Sequence, residues 1–443
     1  MARSCRTPRW NTRGSQRLST RLGRLLPTAV AIAILSIGTA FGQTLEMFSM
    51  LNQGEPMQAV IEKVAEDFEA ETGHPVNISW SGREVLNRLR PRLLTGNAPD
   101  LVHASVSEMS GALLANERLL IPINDLLEGP GPEGQDALLD ILSEESLRLF
   151  ERDGDLFFVP MMRITSGLFY NKTIFDEYDL DPPDTWDELM AIAETLKANG
   201  VAPFMQDNVG IYMAYWYYWS VVRGMGPGAL FEAANDCTGA TWDEPGYLTA
   251  AERLYQLSPS GADYFQDGYR GSTWPAAQTS WAQGNGAMIL VGSWIVNELT
   301  PLAVESWDPG YFPVPRVDAD APMSMESYAN GFAIPEGAEN AELAKEFLRF
   351  TLREEYQQMV ANDARNIPAR TGVEYPIGLK DVRPYLEGAE AFHTVYDNTQ
   401  ALNPEWFSTI YTPLSTELLL GNMRPEEFID AIKTRTVRLC ERQ

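Results

Sequence analysis

The sequence predicts an α/β protein built as two lobes, and three observations carry that prediction. Residues 44–105 alternate strand, helix, strand, helix, strand. Residues 157–352 hold a second strand-and-helix series of similar composition, and no repeat, low-complexity tract or flexible linker separates the two. With 443 residues and 44% hydrophobic content the chain can bury one large core or two medium ones. Lobes without a linker are expected to be joined by short crossing strands.

The elements follow in order. Residues 44–50 (TLEMFSM) alternate as a strand, and Pro56 opens a helix with Met57, Val60, Ile61, Val64 and Phe68 at helical spacing and Gly73 as its stop. Residues 76–80 (VNISW) alternate again, Ser81-Gly82-Arg83 turns into a helix ending near Gly96, and LVHAS (101–105) is a third strand. This order implies a mostly parallel sheet with right-handed crossovers and flanking helices. Ligands bind outside the carboxyl ends of such strands, here residues 50–55, 80–83 and 104–108.

In the second series Leu168-Phe169-Tyr170 reads as a strand, Thr185 and Glu188 form a capping box for a helix over 186–199, and 202–205 is a further strand. The belt IYMAYWYYW (211–219) places Tyr212, Trp216 and Trp219 on one helical face; most of it is core, with one or two rings toward a cleft. NGAMILVGSW (285–294) reads as a short strand buried on both faces, with Trp294 just past its carboxyl end. A strand over 331–334, an amphipathic helix over 341–352 and helical stretches over 404–420 and 425–438 complete the chain.

The first 24 residues carry seven arginines and no acid, and an apolar stretch follows. Its core of about 14 residues is shorter than the ~18 needed to span a bilayer. With Ala40 and Gly42 at the positions a signal peptidase reads, it predicts a periplasmic protein whose leader, residues 1–42, is removed after Gly42. The formal net charge of −27 becomes more negative by seven on cleavage, which makes nucleic acid and anionic membrane surfaces poor partners, and no nucleic acid is expected. Cys237 and Cys440 survive; in an oxidising compartment they either pair or remain free thiols.

Catalytic and metal signatures are missing. His74, His103 and His393 match no zinc spacing, and there is no C-x-x-C, G-x-S-x-G, phosphate loop or calcium loop, so no metal and no cofactor is expected. Adjacent acids such as Glu144-Glu145 diverge on a helix. Carboxylates distant in sequence could still meet in the fold, which leaves an exported carbohydrate-active enzyme as one alternative.

Seven stretches, in order, resemble the extracellular solute-binding proteins of ABC importers, in the carbohydrate-binding group related to maltose-binding protein. They are 67–80, 93–102, 168–180, 183–204, 282–294, 330–352 and 365–370 (RNIPAR). The resemblance implies a non-enzymatic, monomeric sugar-transport component of two α/β lobes, 43–162 with 332–371 and 163–331 with 372–443. A mono- to oligosaccharide or glycoside would bind in the interlobe cleft, and the closed form would dock on the permease subunits. A pyranose needs an aromatic ring under its C–H face and planar polar partners for its hydroxyls. Matching to the family assigns ligand contacts to Asn52, Gln53, Ser107, Glu108, Arg163, Thr165, Asp207, Asn208, Trp294, Asn330, Gly331 and Trp406. Trp80 and Trp216 join this set as rings at a strand end and in the aromatic belt. Ala104, Ser105 and Ser107 stand where maltose-binding protein has a tryptophan and acids, and Trp80 has no aromatic counterpart there, so maltose does not transfer. A second alternative is the same fold binding a polyamine or an osmolyte in an acidic, aromatic box.

Overall fold

A computed structural model describes residues 42–114, 118–148 and 151–442; the expected leader, up to residue 41, lies outside the described residues. Along the chain the strands are β1 (Leu45–Ser49), β2 (Val76–Trp80), β3 (Leu101–Ser105), β4 (Val159–Ile164), β5 (Ser166–Asn171) and β6 (Phe204–Met205). They continue with β7 (Met288–Gly292), β8 (Pro309–Phe312), β9 (Ser324–Glu326), β10 (Tyr328–Ala333), β11 (Ile367–Pro368) and β12 (Ala391–His393).

The first lobe holds a six-stranded sheet in the order β11-β4-β10-β3-β1-β2, and the second a four-stranded sheet in the order β6-β7-β5-β8. The expectation of mostly parallel sheets is corrected: both are mixed. β1 is parallel to β2 and β3, where helices Pro56–Thr72 and Val85–Leu94 supply the crossovers. β10 reaches the first lobe from the second without such a crossover and runs antiparallel to both β3 and β4. In the second sheet β5 is antiparallel to β7 and β8, leaving β6 and β7 as its parallel pair.

Local chemistry accounts for the elements. Pro56 opens its helix and Gly73, at φ 77°, ends it in the left-handed conformation that glycine adopts without strain. Thr185 and Glu188 form the expected capping box. Helix Ala341–Thr351 buries Leu343, Phe347 and Leu348, and the Phe68 and Phe347 rings meet edge to face at 5.3 Å. Burial of this face is the main term that holds the helix, at roughly 25 cal/mol per Å².

β7 is buried on both faces as its sequence predicts: Met288 and Leu290 enter the core around helix Gly210–Met225, while Ile289 and Val291 enter the core on the other side of the sheet. The helix Gly210–Met225 is itself buried from Met213 to Arg223. Cys237 and Cys440 form a disulfide with Cα atoms 5.6 Å apart, tying the end of helix Pro425–Cys440 to the body of its lobe.

Candidate functional site

Where the strands cross between lobes, the structure leaves a cleft of about 650 Å³, within the ~300–1,000 Å³ typical of small-molecule sites. The first lobe contributes Arg83, Asn87, Arg90, Ser105, Ser107 and Glu108; the second contributes Tyr212, Tyr215, Trp294, Tyr396, Asn398 and Gln400, and Tyr328 on the crossing strand β10 forms the floor. The lobes approach each other across it: a Cβ on Gly111 would stand 2.8 Å from the Ala401 carbonyl oxygen and Cβ.

Trp294 packs against both the first-lobe core and the core behind β7. Its ring folds over Gly292, where a Cβ would be 1.7 Å from the ring. The turn beneath is pinned by the Ser293 amide donating to the Thr165 carbonyl at 2.8 Å. Ser107 is buried at the carboxyl end of β3, and its Oγ has no partner among the described residues; Asn398 Oδ1 is likewise unpartnered there. Orphaned polar atoms on a cleft wall are places where a polar ligand recovers a hydrogen bond.

The segment carrying Tyr396 and Asn398 is strained. Tyr396, Asp397 and Asn398 take φ of 50°, 51° and 61°, three consecutive non-glycine residues in the left-handed region at about 1–2 kcal/mol each. Buried partners hold the turn: the Tyr396 hydroxyl donates to the Ile211 carbonyl, and Asp397 Oδ2 accepts from the Leu230 amide at 3.3 Å. Burial pushes the Asp397 carboxyl up to about 6. The carboxyl of Glu108 opens onto the cleft yet is walled by protein; this desolvation, opposed by Arg83, raises its pKa above the usual carboxylate range. Burial pushes the Tyr212 phenol up to about 12, with Glu298 and Asp207 adding to the shift.

Of the residues expected from sequence, Ser107, Glu108 and Trp294 meet in the cleft. Trp216 is corrected: it is core, its Nε1 donating to Gln206 Oε1 at 2.8 Å and its ring packed on Phe204 and Phe265. On a helix buried nearly all round, the turn facing the cleft presents Tyr212 and Tyr215, and the residue after Tyr215 points about 100° away. Trp406 is corrected too: fully buried, stacked on Tyr411 and bonded through Nε1 to Thr436 at 2.7 Å.

Thr165 is fully buried and reaches the site through its backbone bond to Ser293. Arg163 lines separate depressions with Ser143, outside the cleft. Asp207 accepts from the Ala277 amide at 3.0 Å and Asn208 donates to the Arg270 carbonyl at 2.7 Å, so both fasten the 270–277 loop. Asn52 donates to Glu55 at 2.6 Å, Gln53 is an exposed loop residue beside it, and Trp80 ends the edge strand β2; none of these three lines the cleft. Asn330 lies opposite Ser105 on β10, and Gly331 sits at a bulge where a Cβ would be 2.3 Å from the Val159 carbonyl oxygen. Its role is close backbone packing.

Sequence reasoning did not single out Tyr215, Tyr328, Tyr396, Asn398 or the Arg83/Asn87/Arg90 row, although Arg83 closes the strand-end segment 80–83. Only that row left a signal: Asn87 and Arg90 lie three apart on the helix after β2, and Arg83 is in the short turn that leads into it.

Two α/β lobes joined by crossing strands around a cleft of tyrosines, one tryptophan and orphaned hydrogen-bonding groups define a two-lobed small-molecule-binding protein. The chain belongs to the bacterial extracellular solute-binding protein family, whose model matches residues 51–358. It is 24% identical over 277 residues to the multiple sugar-binding protein of Streptococcus mutans and 25% identical over 285 residues to the diacetylchitobiose binding protein NgcE of Streptomyces coelicolor. These alignments cover 60% and 61% of this chain, and it spans only 60% and 58% of those relatives. Among solved structures, a chitin oligosaccharide binding protein is similar at a TM-score of 0.71 and 23% identity, covering 90% of this chain and 98% of that one. The raffinose complex of RafE is similar at a TM-score of 0.67 and 17% identity, with 89% and 99% covered.

Proposed function

We propose that this protein is the sugar-binding component of an ABC importer. It takes a mono- to oligosaccharide or glycoside into the interlobe cleft, closes around it and delivers it to membrane permease subunits, catalysing no reaction. The observation that carries the reading is the Trp294 ring lying over Gly292 on the wall of a cleft whose Ser107 and Asn398 side chains have unused hydrogen-bonding capacity. A flat apolar ring beside unpaired polar groups matches the two surfaces of a pyranose. The related proteins named for multiple sugars and diacetylchitobiose support the same class of ligand. On this reading the lobes are 43–162 with 332–371 and 163–331 with 372–443. The protein works as a monomer outside the inner membrane after loss of residues 1–42.

Calorimetric titration with raffinose, stachyose, diacetylchitobiose, a polyamine and glycine betaine tests it. One of the sugars binds and is recovered unchanged. Binding of the polyamine or betaine alone would reject the sugar reading, and release of a cleavage product would reject the binding-only role.

A further inference from the structure

Glu326 is the last residue of β9, two residues before the crossing strand β10 begins its floor of the cleft, and it is fully buried. Its Oε1 accepts from the Ser166 hydroxyl and, at 3.0 Å, from the Tyr215 hydroxyl. The two hydroxyls are themselves 3.3 Å apart, and Oε2 has no partner among the described residues. Tyr215 lines the cleft, so this buried carboxyl stands one hydrogen bond behind the binding surface.

The groups packed around it come from five further elements. Helix Gly210–Met225 brings Tyr215 and Tyr218, with Arg223 bonded to Ser324 two residues before Glu326; β8 brings Tyr311; β10 brings Tyr328; the left-handed turn brings Tyr396 and Asp397; and β12 sets His393 opposite Glu326 in register. Arg223 donates through Nε to the Val314 carbonyl and through Nη1 to the Ser324 carbonyl, its Nη2 having no partner among the described residues, and burial keeps His393 neutral, with its pKa lowered to about 3. Asp397 is a second carboxyl that disfavours another negative charge.

Proton counting fixes what the cluster does. As a carboxylate Glu326 has no proton, so Ser166 and Tyr215 both donate into Oε1, and the Tyr215 oxygen is left to accept from the cleft. With a proton on Oε1 the carboxyl donates to Tyr215, directly or through Ser166, and the Tyr215 O–H turns outward as a donor. We propose that Glu326 is a positioning residue that sets the hydrogen-bond polarity of Tyr215 toward a polyhydroxyl ligand, acceptor when Glu326 is ionised and donor when it is neutral. Burial pushes the Glu326 carboxyl up to about 7, which brings the switch into the physiological range. The proposal rests on the sugar-binding reading for its ligand, but the ionisation of Glu326 does not.

Two measurements test it on the whole exported chain. Carbon NMR of glutamate-labelled, ligand-free protein, assigned by comparison with E326Q, follows the carboxyl itself; titration near neutrality is expected, and titration below pH 5 overturns the proposal. Separately, Kd for raffinose, stachyose and diacetylchitobiose is measured from pH 5.5 to 8.5 in wild type, E326Q and Y215F. For whichever sugar binds, the wild-type Kd changes about three- to tenfold, the worth of one hydrogen bond, while E326Q and Y215F flatten that part of the profile. Glu108 titrates in all three, so only the component lost in E326Q counts. An E326Q profile identical to wild type overturns the proposal. If no sugar binds wild type, the sugar reading fails, and the carboxyl titration alone decides whether Glu326 holds a proton near neutrality.

Discussion

The Trp294 ring lies across the backbone of Gly292, so closely that a Cβ on the glycine would fall 1.7 Å from ring carbon Cζ3 and 2.2 Å from Cε3. Nothing larger than hydrogen fits beneath the ring. Truncation of Trp294 to alanine, removing about 100 Å² of apolar contact, costs about 2.5 kcal/mol of sugar affinity, or fifty- to a hundredfold in Kd. Gly292→Ala weakens binding in the same direction by displacing the ring. Calorimetry on both variants checks this; unchanged affinity with a lowered melting temperature would make the ring a core residue only.

The two tryptophans found in the core behave differently. Trp216→Ala and Trp406→Ala each remove a fully enclosed ring and an Nε1 hydrogen bond, at a cost of about 3–5 kcal/mol in stability. Denaturant unfolding reports the loss. The Kd of the folded fraction stays at the wild-type value, and a large affinity loss would return these rings to the site.

Gly111 and Ala401 meet across the cleft, with no room for a Cβ on the glycine. Gly111→Leu places a side chain in that contact and holds the lobes apart. Kd rises at least tenfold, and small-angle scattering at saturating sugar gives a larger radius of gyration than wild type. A compaction equal to wild type would show that closure does not use this contact.

Stability should depend on pH through Glu326. Its carboxyl is raised in the folded protein to about 7 from an ordinary value of 4.5. The folded state therefore binds this proton more tightly than the unfolded one, and its contribution is full below pH 4.5 and lost as pH rises through 7. E326Q removes the titration, so its melting temperature relative to wild type rises between pH 5 and pH 8. Melting curves at both pH values check the sign.

The Cys237–Cys440 disulfide closes a loop with a sequence separation of 203 residues. In the chain-entropy model a loop of that length is worth about 5 kcal/mol. Denaturation of the double serine variant should show a loss of up to that size with sugar affinity intact. Equal stability of oxidised and reduced protein would refute it.

The order of elements was legible because hydrophobic period is local information. Met57 to Phe68 at helical spacing, the Thr185 capping box and the apolar run of β7 each emerged where their spacing put them. Strand direction was not: β10 runs against β3 because the chain returns from the other lobe, which no window of ten residues encodes.

What the sequence by itself determined is the two-lobed α/β fold, the strand ends from which a cleft is built and, through the family resemblance, three of the residues that line it, Ser107, Glu108 and Trp294. Only the tertiary structure decided which aromatic rings are walls and which are core. Tyr215 and Trp216 are neighbours of similar character, yet one lines the cleft and the other is bonded to Gln206 in the interior. The bonds from Ile211 and Leu230 that hold the left-handed turn at Tyr396–Asn398, and the buried contact of Glu326 with Ser166 and Tyr215, likewise join residues more than 100 positions apart. Burial and hydrogen-bond partnership are set by what packs from distant segments, and local spacing carries no record of it.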